Sequence, residues 1–427
     1  MNWPTVPLKQ IAPSQASDLR FEPDSIVWHL TLDQIESQTG YIINKRNAQA
    51  KDAGTSTYAF DDGNVLYSKL RPYLNKVICP DEAGIATTEL VPLRPRAEIL
   101  NRHYLTYYLR SNHFLNFANV AVAGVKMPRI IMDKFWKHQI PLPALSEQRR
   151  IIEILDQAAA LRKKRAQADD KAARILPSVF YRLFGDPVTN PRDWPTKPLG
   201  EVTIGNPQYG ANASATKWID GSPRYVRITD ITADGRLLKS GVVTLNLDDW
   251  APYKLTPGDL LFARSGNTVG KTYLYQPQDG LCAYAGYLIR FKADQNQVLP
   301  WYLFALTQTG YYKSWVEARK RVAGQPNING KEYSSLQIPC PPIPLQEAFV
   351  EKIERLIDIR KKQNTTEHKI QQLFSVLLHR AFSGELTGKW RESHMKELLA
   401  EMEDQARTLE ETKSCKPIRG RNKKAVK

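Results

Sequence analysis

Two proline-rich stretches decide the fold of this chain: QIPLPALSEQRRIIEIL at Gln139–Leu155 and QIPCPPIPLQEAFVEKI at Gln337–Ile353. Proline lacks a backbone N–H and fixes φ, so each joint should be extended and should end where a helix begins. Ser146 precedes Glu147 and is predicted to cap the first helix, because an acidic first turn suits the helix dipole. The same punctuation occurs twice, which indicates a duplicated unit.

Other stretches also occur twice and in the same order. NWPTVPLKQI near the start is matched by DWPTKPLGEV in the second half, and VAGVKMPRI is matched by VAGQPNING. The matched pairs begin at Asn2 and Asp193, Gly63 and Gly258, His103 and Trp301, and Val122 and Val322. Several matches in one order indicate duplication. We therefore expect two copies of one unit, each made of a globular region and a helix.

Each joint runs into a long segment rich in helix-forming residues. We predict spacer helices over 146–186 and 345–384, each on the order of 50 Å long at about 1.5 Å per residue. Pro177 should kink or end the first of them. Apolar residues at heptad spacing predict a coiled-coil seam formed by Ile151, Ile154, Leu161, Ile175 and Val179 in the first helix and Ile353, Leu356, Ile370, Phe374 and Leu377 in the second. A lone helix would expose this stripe, so the helices should pair with each other, with a partner, or both.

The regions before the helices, 1–145 and 187–344, have the pattern of mixed α/β domains. NVLYSKLRPYLNKVIC and DLLFARSGNTVGKTYLY have the composition of strand pairs around a turn, whereas HYLTYYLRSNHFLNFA and WYLFALTQTGYYKSW are helical by spacing. The predicted fold class is α+β, with two pseudo-repeated mixed α/β domains separated by two long helices. The remaining segment, 385–427, is predicted to be a basic, partly disordered tail.

The charge of the chain indicates a polyanionic partner. The formal net charge is +16 and the sequence pI is about 9.5. The last fifteen residues carry seven Lys or Arg and no acid, which leaves +9 for the rest of the chain. The positive excess therefore belongs to the folded body as well as to the tail, as is typical of proteins that bind nucleic acid.

Several classes of protein are disfavoured. The four cysteines, Cys79, Cys282, Cys340 and Cys415, form no CxxC pair, which argues against a disulfide framework and a zinc site. The histidines form no metal-binding motif, so no metal is expected. No apolar run has the length of a membrane helix, and the start of the chain lacks a signal-peptide core. A cytoplasmic protein without membrane contact is predicted.

The stretch GNTVGKT at Gly266–Thr272 is a near miss to the loop that cradles nucleotide phosphates. Three residues rather than four separate its first glycine from the Gly-Lys pair, and Ser265 stands where the first glycine should be. The residues that follow favour a strand rather than a helix. No other catalytic constellation is recognisable, so the chain is interpreted as a binding protein rather than an enzyme.

The duplicated joints and helices resemble the DNA-specificity subunits of type I restriction-modification systems. The resemblance rests on the two joints, on the helix ends LPSVFYRLFGDP and LLHRAFSGELTG, and on the GQPNI turn at Gly324, and it covers about residues 1 to 388. Two departures stand out. Ala348 takes the place of Gln148 in the second joint, and the first turn reads GVKMPRI rather than GQPNI. The second departure can alter what the first domain contacts.

This resemblance implies a non-catalytic specificity subunit for a complex that methylates DNA and acts in phage defence. Two target-recognition domains would each read one half of a bipartite double-stranded DNA target, separated by the two helices as an antiparallel pair. Two methyltransferase subunits would be scaffolded by the chain, and restriction subunits with motor and nuclease activity would join for cleavage. No cofactor is expected in this chain, because S-adenosylmethionine, ATP and Mg²⁺ would be used by the partner subunits.

The candidate DNA contacts lie in the strand-pair turns and in the later Val-Ala-Gly turns. In the first half they are Lys69, Arg71, Lys76, Lys126 and Arg129, which can meet phosphates or guanine edges. In the second half they are Arg264, Ser265, Asn267, Thr268, Lys271, Gln325, Asn327 and Asn329. Asn and Gln can pair bidentately with adenine, so a turn with three amides suits base reading. The alternative is that these residues are solvated hairpin tips or caps of their own backbone.

Two alternative functions remain compatible with the sequence. One is a specificity subunit for a system whose methyltransferase and nuclease are fused in one partner polypeptide. The other is a scaffold that binds nucleic acid without sequence preference, or an RNA-binding protein. Neighbouring open reading frames would identify the first alternative, and salt-resistant, sequence-blind binding to duplex DNA would favour the second.

Overall fold

Both halves of the chain run through a similar succession of short strands and helices, and in each half this succession leads into a helix of 40 residues. The computed structural model describes residues 3–238, 241–320 and 326–414, without the side chains of 357–368 and 412–414. The first half contains β1 (Thr5–Pro7), α1 (Leu8–Ile11), β2 (Ile26–Leu30), β3 (Asn47–Gln49), β4 (Thr57–Phe60), β5 (Val65–Ser68), β6 (Val77–Ile78), β7 (Gly84–Thr87), β8 (Leu90–Leu93), α2 (Arg102–Arg110), α3 (Asn112–Val120), β9 (Val122–Ala123), β10 (Arg129–Ile130), α4 (Met132–Lys137), β11 (Gln139–Pro141) and α5 (Leu145–Phe184).

The second half adds a C-terminal pair of helices to the same plan. It contains β12 (Thr196–Pro198), β13 (Gln208–Tyr209), β14 (Ala215–Lys217), β15 (Arg224–Val226), β16 (Val243–Leu245), β17 (Asp259–Ala263), β18 (Thr272–Leu274), β19 (Cys282–Tyr284), β20 (Leu288–Lys292), α6 (Pro300–Thr307), α7 (Gly310–Lys320), α8 (Gly330–Ser334), β21 (Gln337–Pro339), α9 (Ile343–Phe382), α10 (Gly388–Ser393) and α11 (Met395–Ser414). None of the helices in the described part of the chain combines the length and apolar character needed to cross a membrane.

The sheets of the first half are small and mostly antiparallel. β3, β2, β7 and β4 form a four-stranded sheet, and β6, β5 and β8 form a three-stranded one. The predicted strand pair around a turn is confirmed, because β5 pairs antiparallel with β6. β1 pairs with β11 in the first proline-rich joint, which is extended as predicted. The predicted helical stretch is confirmed as α2 and α3, whose aromatic side chains fill the core beside the sheets.

The second half repeats these pairings. β13, β20, β17 and β18 form a four-stranded sheet, in which the predicted strand pair is β17 and β18. β12 pairs with β21 in the second joint, as β1 does with β11 in the first. Tyr104 and Tyr302, both fully buried, donate from their hydroxyls to the carbonyls of Pro141 and Pro339. The duplication predicted from the sequence is therefore visible in hydrogen bonds as well as in element order.

Contacts divide the chain into two compact units. One unit is Met1–Lys164 with Glu367–Lys427, and the other is Arg165–Thr366. Each unit combines a globular region with the near half of one long helix and the far half of the other. In the first unit, Ile151 and Leu155 of α5 share a core with Phe374 and Ala381 of α9.

In the second unit the helix halves are exchanged. Phe180 and Phe184 of α5 pack against Phe349 and Ile353 of α9 there. In both units the early part of one helix therefore meets the late part of the other, as expected of an antiparallel pair. The chain is α+β, with two repeated mixed regions and two long helices.

The buried stripe of α5 differs from the predicted seam by one residue. Ile151 is buried as predicted and Ile154 and Val179 are half-buried, but the most buried residues beside them and beside Ile175 are Leu155, Leu176 and Phe180. Leu161 is 49% exposed and Ile175 is 39% exposed, so neither is packed between the two helices, and their packing against a partner stays a prediction. The larger side chains at Phe180 and Phe184 set the rotation of the helix, because the ring of each packs against Tyr302 of α6 and Phe349 of α9. The predicted stripe of α9 agrees better, since Ile353 and Phe374 are buried and Leu356 and Leu377 are partly buried.

The ends of α5 also differ from the expectation. The helix begins at Leu145, so Ser146 lies in its first turn and is not the N-cap. The backbone N–H of Ser146 donates to the carboxylate of Glu401, 2.9 Å away on α11. Pro177 does not end the helix, which continues to Phe184.

The segment after α9 contains two helices that pack on the first unit. Its residues 388–414 are the helices α10 and α11, and residues 415–427 lie outside the described part of the chain. The guanidinium of Arg391 donates from Nε to Glu147, 2.7 Å away, and the Glu147 side chain is 1% exposed. Thr387 and Trp3 also donate to this carboxylate. The C-terminal helices are therefore anchored to the start of α5.

Candidate nucleic-acid interface

In the first unit, backbone bonds join the tip of the β5–β6 hairpin to the β9–β10 hairpin. The N–H of Arg71 donates to the carbonyl of Pro128 at 2.7 Å, and the N–H of Ile130 donates to the carbonyl of Lys69 at 2.9 Å. An isolated bridge pairs Leu70 with Arg129. Antiparallel backbone pairing thus joins two segments that are about 60 residues apart in sequence, and together they form one surface.

The second unit repeats this junction bond for bond. Gly266 donates to the carbonyl of Pro326 at 3.0 Å, and Ile328 donates to the carbonyl of Arg264 at 2.8 Å. Ser265 forms the isolated bridge with Asn327. Lys69 and Arg264 are therefore structural equivalents, and so are Arg129 and Asn327. In each half, the structure thus brings together the strand-pair turn and the later Val-Ala-Gly turn, which the sequence predicted separately as DNA contacts.

The first junction presents a group of cations. Arg71 and Lys126 are exposed, and Lys69 is half-buried. Arg129 forms two hydrogen bonds with Glu89, at 3.0 Å and 3.3 Å, and these bonds lower the pKa of the Glu89 carboxyl. Arg71 has a φ of 50°, a left-handed conformation that holds its side chain at the start of the 3-10 turn Pro72–Leu74. Three of the five predicted cations thus lie at one junction and form no ion pair within the described residues, while Arg129 is paired with Glu89.

Lys76 and Lys271 occupy equivalent places but point away from this surface. The ammonium of Lys76 donates to the carbonyl of Leu32 at 2.6 Å, and that of Lys271 donates to the carbonyl of Ile231 at 2.6 Å. Burial lowers the pKa of the Lys76 ammonium, against a smaller raising effect of Asp33. Both lysines tie a neighbouring turn to the hairpin, so their geometry is that of structural residues.

The GNTVGKT stretch forms the tip of a strand hairpin. It lies between β17 and β18, with a single 3-10 turn at Gly266–Thr268. Lys271 continues the ladder by accepting from the N–H of Ala263 at 2.8 Å. The strand predicted from its flanks is confirmed, and no helix follows to offer its N-terminus to a phosphate.

The second junction is richer in amides and hydroxyls than in charge. Arg264 lies over the ring of Tyr209, 4.9 Å from its centroid, and its Nε is 3.4 Å from Asn327. Asn267 is exposed, and Thr268 donates to the carbonyl of Ser265. Tyr209 could not be predicted as part of this junction from the sequence, because β13 lies far from Arg264 along the chain. The pairing of β13 with β20 brings Tyr209 near Arg264.

The remaining two amides of this turn have different outcomes. Asn329 caps α8 by accepting from the N–H of Glu332 at 2.9 Å, and Glu332 accepts in return from the N–H of Asn329. This reciprocal pair is a capping box, so the side-chain oxygen of Asn329 already accepts a hydrogen bond from the N-terminus of α8. Gln325 lies outside the described residues. Asn327 is exposed at the junction itself.

A buried glutamine fastens each joint to the globular region before it. Gln148 accepts from the N–H of Asn101 and donates to the carbonyls of Ile99 and Pro143, at 2.8 to 2.9 Å. Gln346 accepts from Leu299 and donates to Gln297 and Pro341 at 2.8 to 3.0 Å. The counterpart of Gln148 is therefore Gln346 and not Ala348, and the first departure noted from the sequence disappears.

No group of three or more His, Cys, Asp or Glu residues in the described ranges could hold a metal ion. A cleft of about 690 Å³ in the first unit is lined by Trp28, Tyr41, His103, Tyr107 and Arg110 among others. Arg110 donates there to the carbonyl of Val77. The surface formed at each junction is the candidate site, because it carries side chains that the sequence predicts to contact DNA.

Comparison with known proteins gives one consistent result. A model of the type I restriction modification DNA specificity domain matches residues 31–168 and 191–373. The chain is 24% identical over 363 residues to the specificity subunit of the type I restriction enzyme StySPI of Salmonella potsdam, covering 78% of this chain and 76% of the relative. It is 26% identical over 368 residues to the EcoKI specificity subunit of Escherichia coli, with the same coverage of 78% and 76%. Among solved structures, the S subunit of a type I restriction-modification system from M. genitalium has a TM-score of 0.51 at 12% identity, covering 90% of this chain and 96% of that one.

Proposed function

We propose a function from one premise: the chain belongs to the type I restriction modification DNA specificity family, whose model matches it in both halves. The proposal is that each unit reads one half of a bipartite double-stranded DNA target through the surface formed at its hairpin junction. The chain itself would catalyse no reaction.

One observation carries this proposal. The same three backbone pairings join a hairpin tip to a later turn in both units, around Lys69 and Arg129 in the first and around Arg264 and Asn327 in the second. The backbone scaffold is repeated while the side chains on it differ. A repeated scaffold with different side chains is what two sites need if they bind the same kind of polymer but read different sequences.

The partners are proposed to be two methyltransferase subunits and, for cleavage, restriction subunits. S-adenosylmethionine, ATP and Mg²⁺ would be bound by those partners. Exposed apolar side chains on the long helices support a docking surface in the first unit, where Leu161 of α5 and Leu373 and Val376 of α9 are 49%, 50% and 52% exposed. Apolar residues left outside a helix pair are suited to packing against further helices.

The decisive experiment maps methylated bases in the genome of the host, with and without the gene for this chain. We expect a split motif whose methylation disappears on deletion and returns on complementation. Complementation with a variant altered only at the first junction, Arg71→Ala with Lys126→Ala, should weaken methylation of that motif without creating a second one. An unchanged methylation pattern after deletion would refute the proposed function.

A further inference from the structure

The tip of the β9–β10 hairpin presents apolar side chains to solvent. Val125 is 99% exposed and Met127 is 47% exposed. Neither contributes to a core cluster of the first unit. A valine with almost its whole surface exposed to water makes no hydrophobic contribution to the stability of the fold, because that contribution comes from burying apolar surface.

This tip is held in place by its surroundings. β9 and β10 pair below it, with Ala123 opposite Arg129 and Val122 opposite Ile130. Gly124 has a φ of 90°, a conformation that glycine adopts without strain and that turns the chain into the tip. Beyond the tip, Pro128 accepts from the N–H of Arg71 at 2.7 Å. The apolar side chains are therefore presented by a short loop whose two ends are held by hydrogen bonds.

The groups around the tip are basic. Lys126 lies between Val125 and Met127 and is exposed, and Arg71 is bonded to the residue after Met127. An apolar tip among cations fits duplex DNA better than a protein surface, because phosphates line both edges of a groove whose floor carries apolar groups. In the major groove the main apolar group is the 5-methyl of thymine.

We propose that Val125 and Met127 are specificity-determining residues that contact base edges in the half-site read by the first unit, with thymine methyl groups as their preferred surface. The inference rests on the proposed function and adds to it the kind of base feature that is read. In this arrangement the cations beside the tip contact the phosphates of the DNA backbone, and the two apolar side chains enter the major groove.

The test uses the complete methyltransferase complex with its mapped motif. Each thymine of the first half-site is replaced in turn by deoxyuridine, which removes only the 5-methyl group. For the unaltered protein we expect at least one replacement to weaken binding by about fourfold, the effect expected for one buried methyl group. With Val125→Ala and Met127→Ala together, the same replacement should have no further effect.

Lys126→Ala is the matched control on the same turn. It should weaken binding equally on thymine and deoxyuridine sites, because a phosphate contact does not depend on the base. Thermal unfolding of all variants should be unchanged, since these side chains are exposed.

The outcomes separate the inference from the proposed function. If the unaltered complex recognises its split motif but is indifferent to every deoxyuridine replacement, the inference fails and the function stands. If the complex shows no sequence preference, both fail. If the double variant assembles with the methyltransferase and keeps the full sensitivity to deoxyuridine, the tip does not read thymine methyl groups and the inference is again overturned.

Discussion

Chemically similar residues have different roles at the two junctions. Lys126 and Arg71 are exposed, whereas Lys76 and Lys271 donate to backbone carbonyls. The sequence identified all four as DNA contacts because charge and turn position are all that it displays. Which lysine turns inward depends on a carbonyl about 40 residues away, and no local pattern encodes that.

The salt dependence of DNA binding should separate these two groups. Lys126→Ala and Arg71→Ala should each lower the slope of log affinity against log salt by about 0.9, the contribution of one phosphate contact. Lys271→Ala should leave the slope unchanged and lower the melting temperature, because it removes a bond to the Ile231 carbonyl. Filter-binding titrations at several salt concentrations measure the slopes. A full loss of one contact in Lys271→Ala would show that its ammonium leaves that carbonyl to bind DNA.

A half-buried histidine, His138, predicts how stability responds to acid. Burial, with a smaller effect of His113, lowers the pKa of His138 to about 4, and its ring is 2.8 Å from the Tyr108 hydroxyl. The folded state thus disfavours the proton that the unfolded chain accepts below about pH 6.5. The stabilising effect of a neutral His138 is complete above that pH and is lost as pH falls towards 4.

The matching measurement compares the unaltered chain with His138→Gln. Between pH 7.5 and pH 5 the unaltered chain should lose about 1 kcal/mol more stability than the variant, a value reduced for the partial exposure of the ring. His379→Gln, an exposed position on α9, is the control. Equal pH dependence of stability in the unaltered chain and in His138→Gln would contradict the prediction that His138 contributes to the loss of stability in acid.

At the scale of elements, periodicity predicted the helices but not the face that each one buries. Heptad spacing fits both Ile175 and Leu176 to within one residue, and the choice between them is made by Phe180 and Phe184 packing on α6 and α9. Bulky aromatic side chains bury more area than β-branched ones, so they decide the rotation of the helix. The joints were predictable because the effect of proline on the backbone is local.

The C-terminal helices could not be predicted as part of the first unit, because the contacts that anchor them, such as the Glu147–Arg391 ion pair and the Ser146–Glu401 hydrogen bond, join residues far apart in the sequence. Glu147 accepts from Arg391, and the guanidinium also lies over the ring of Trp3, 5.0 Å from its centroid. Removing one partner of a buried pair leaves the other charge without compensation. Arg391→Met should therefore cost about 3–5 kcal/mol of unfolding free energy, measured by denaturant titration.

Two comparisons make that prediction specific. Arg407→Met should cost little, because the Arg407–Asp404 pair is 73% and 77% exposed at a distance of 3.7 Å. Combining Arg391→Met with Glu147→Gln should recover part of the loss, since the unpaired buried charge is gone. A double variant as unstable as Arg391→Met would place the cost in packing against Trp3 instead.

At the scale of the whole molecule, duplication was the most predictable feature, because the two halves of the sequence can be compared directly with each other. The matched segments seen in the sequence correspond to matched bonds, such as those of Gln148 and Gln346. What the sequence concealed is that each compact unit takes part of both long helices. A division made along the chain cannot show this, because halves of α5 and α9 become neighbours only after folding.

If the two units read the two halves of one target, the helices should determine how many base pairs separate those halves. Deleting residues 163–166 of α5 and the equivalent 361–364 of α9 removes close to one turn from each helix, about 6 Å, and nearly keeps the phase of the apolar faces. At about 3.4 Å per base pair, the unread gap in the methylated motif should shrink by one or two base pairs. Replacing the same eight residues with alanine keeps the length and should keep the gap. Methylation mapping reads both results, and a shortened protein that melts like the original but methylates the original spacing would refute the helices as a ruler.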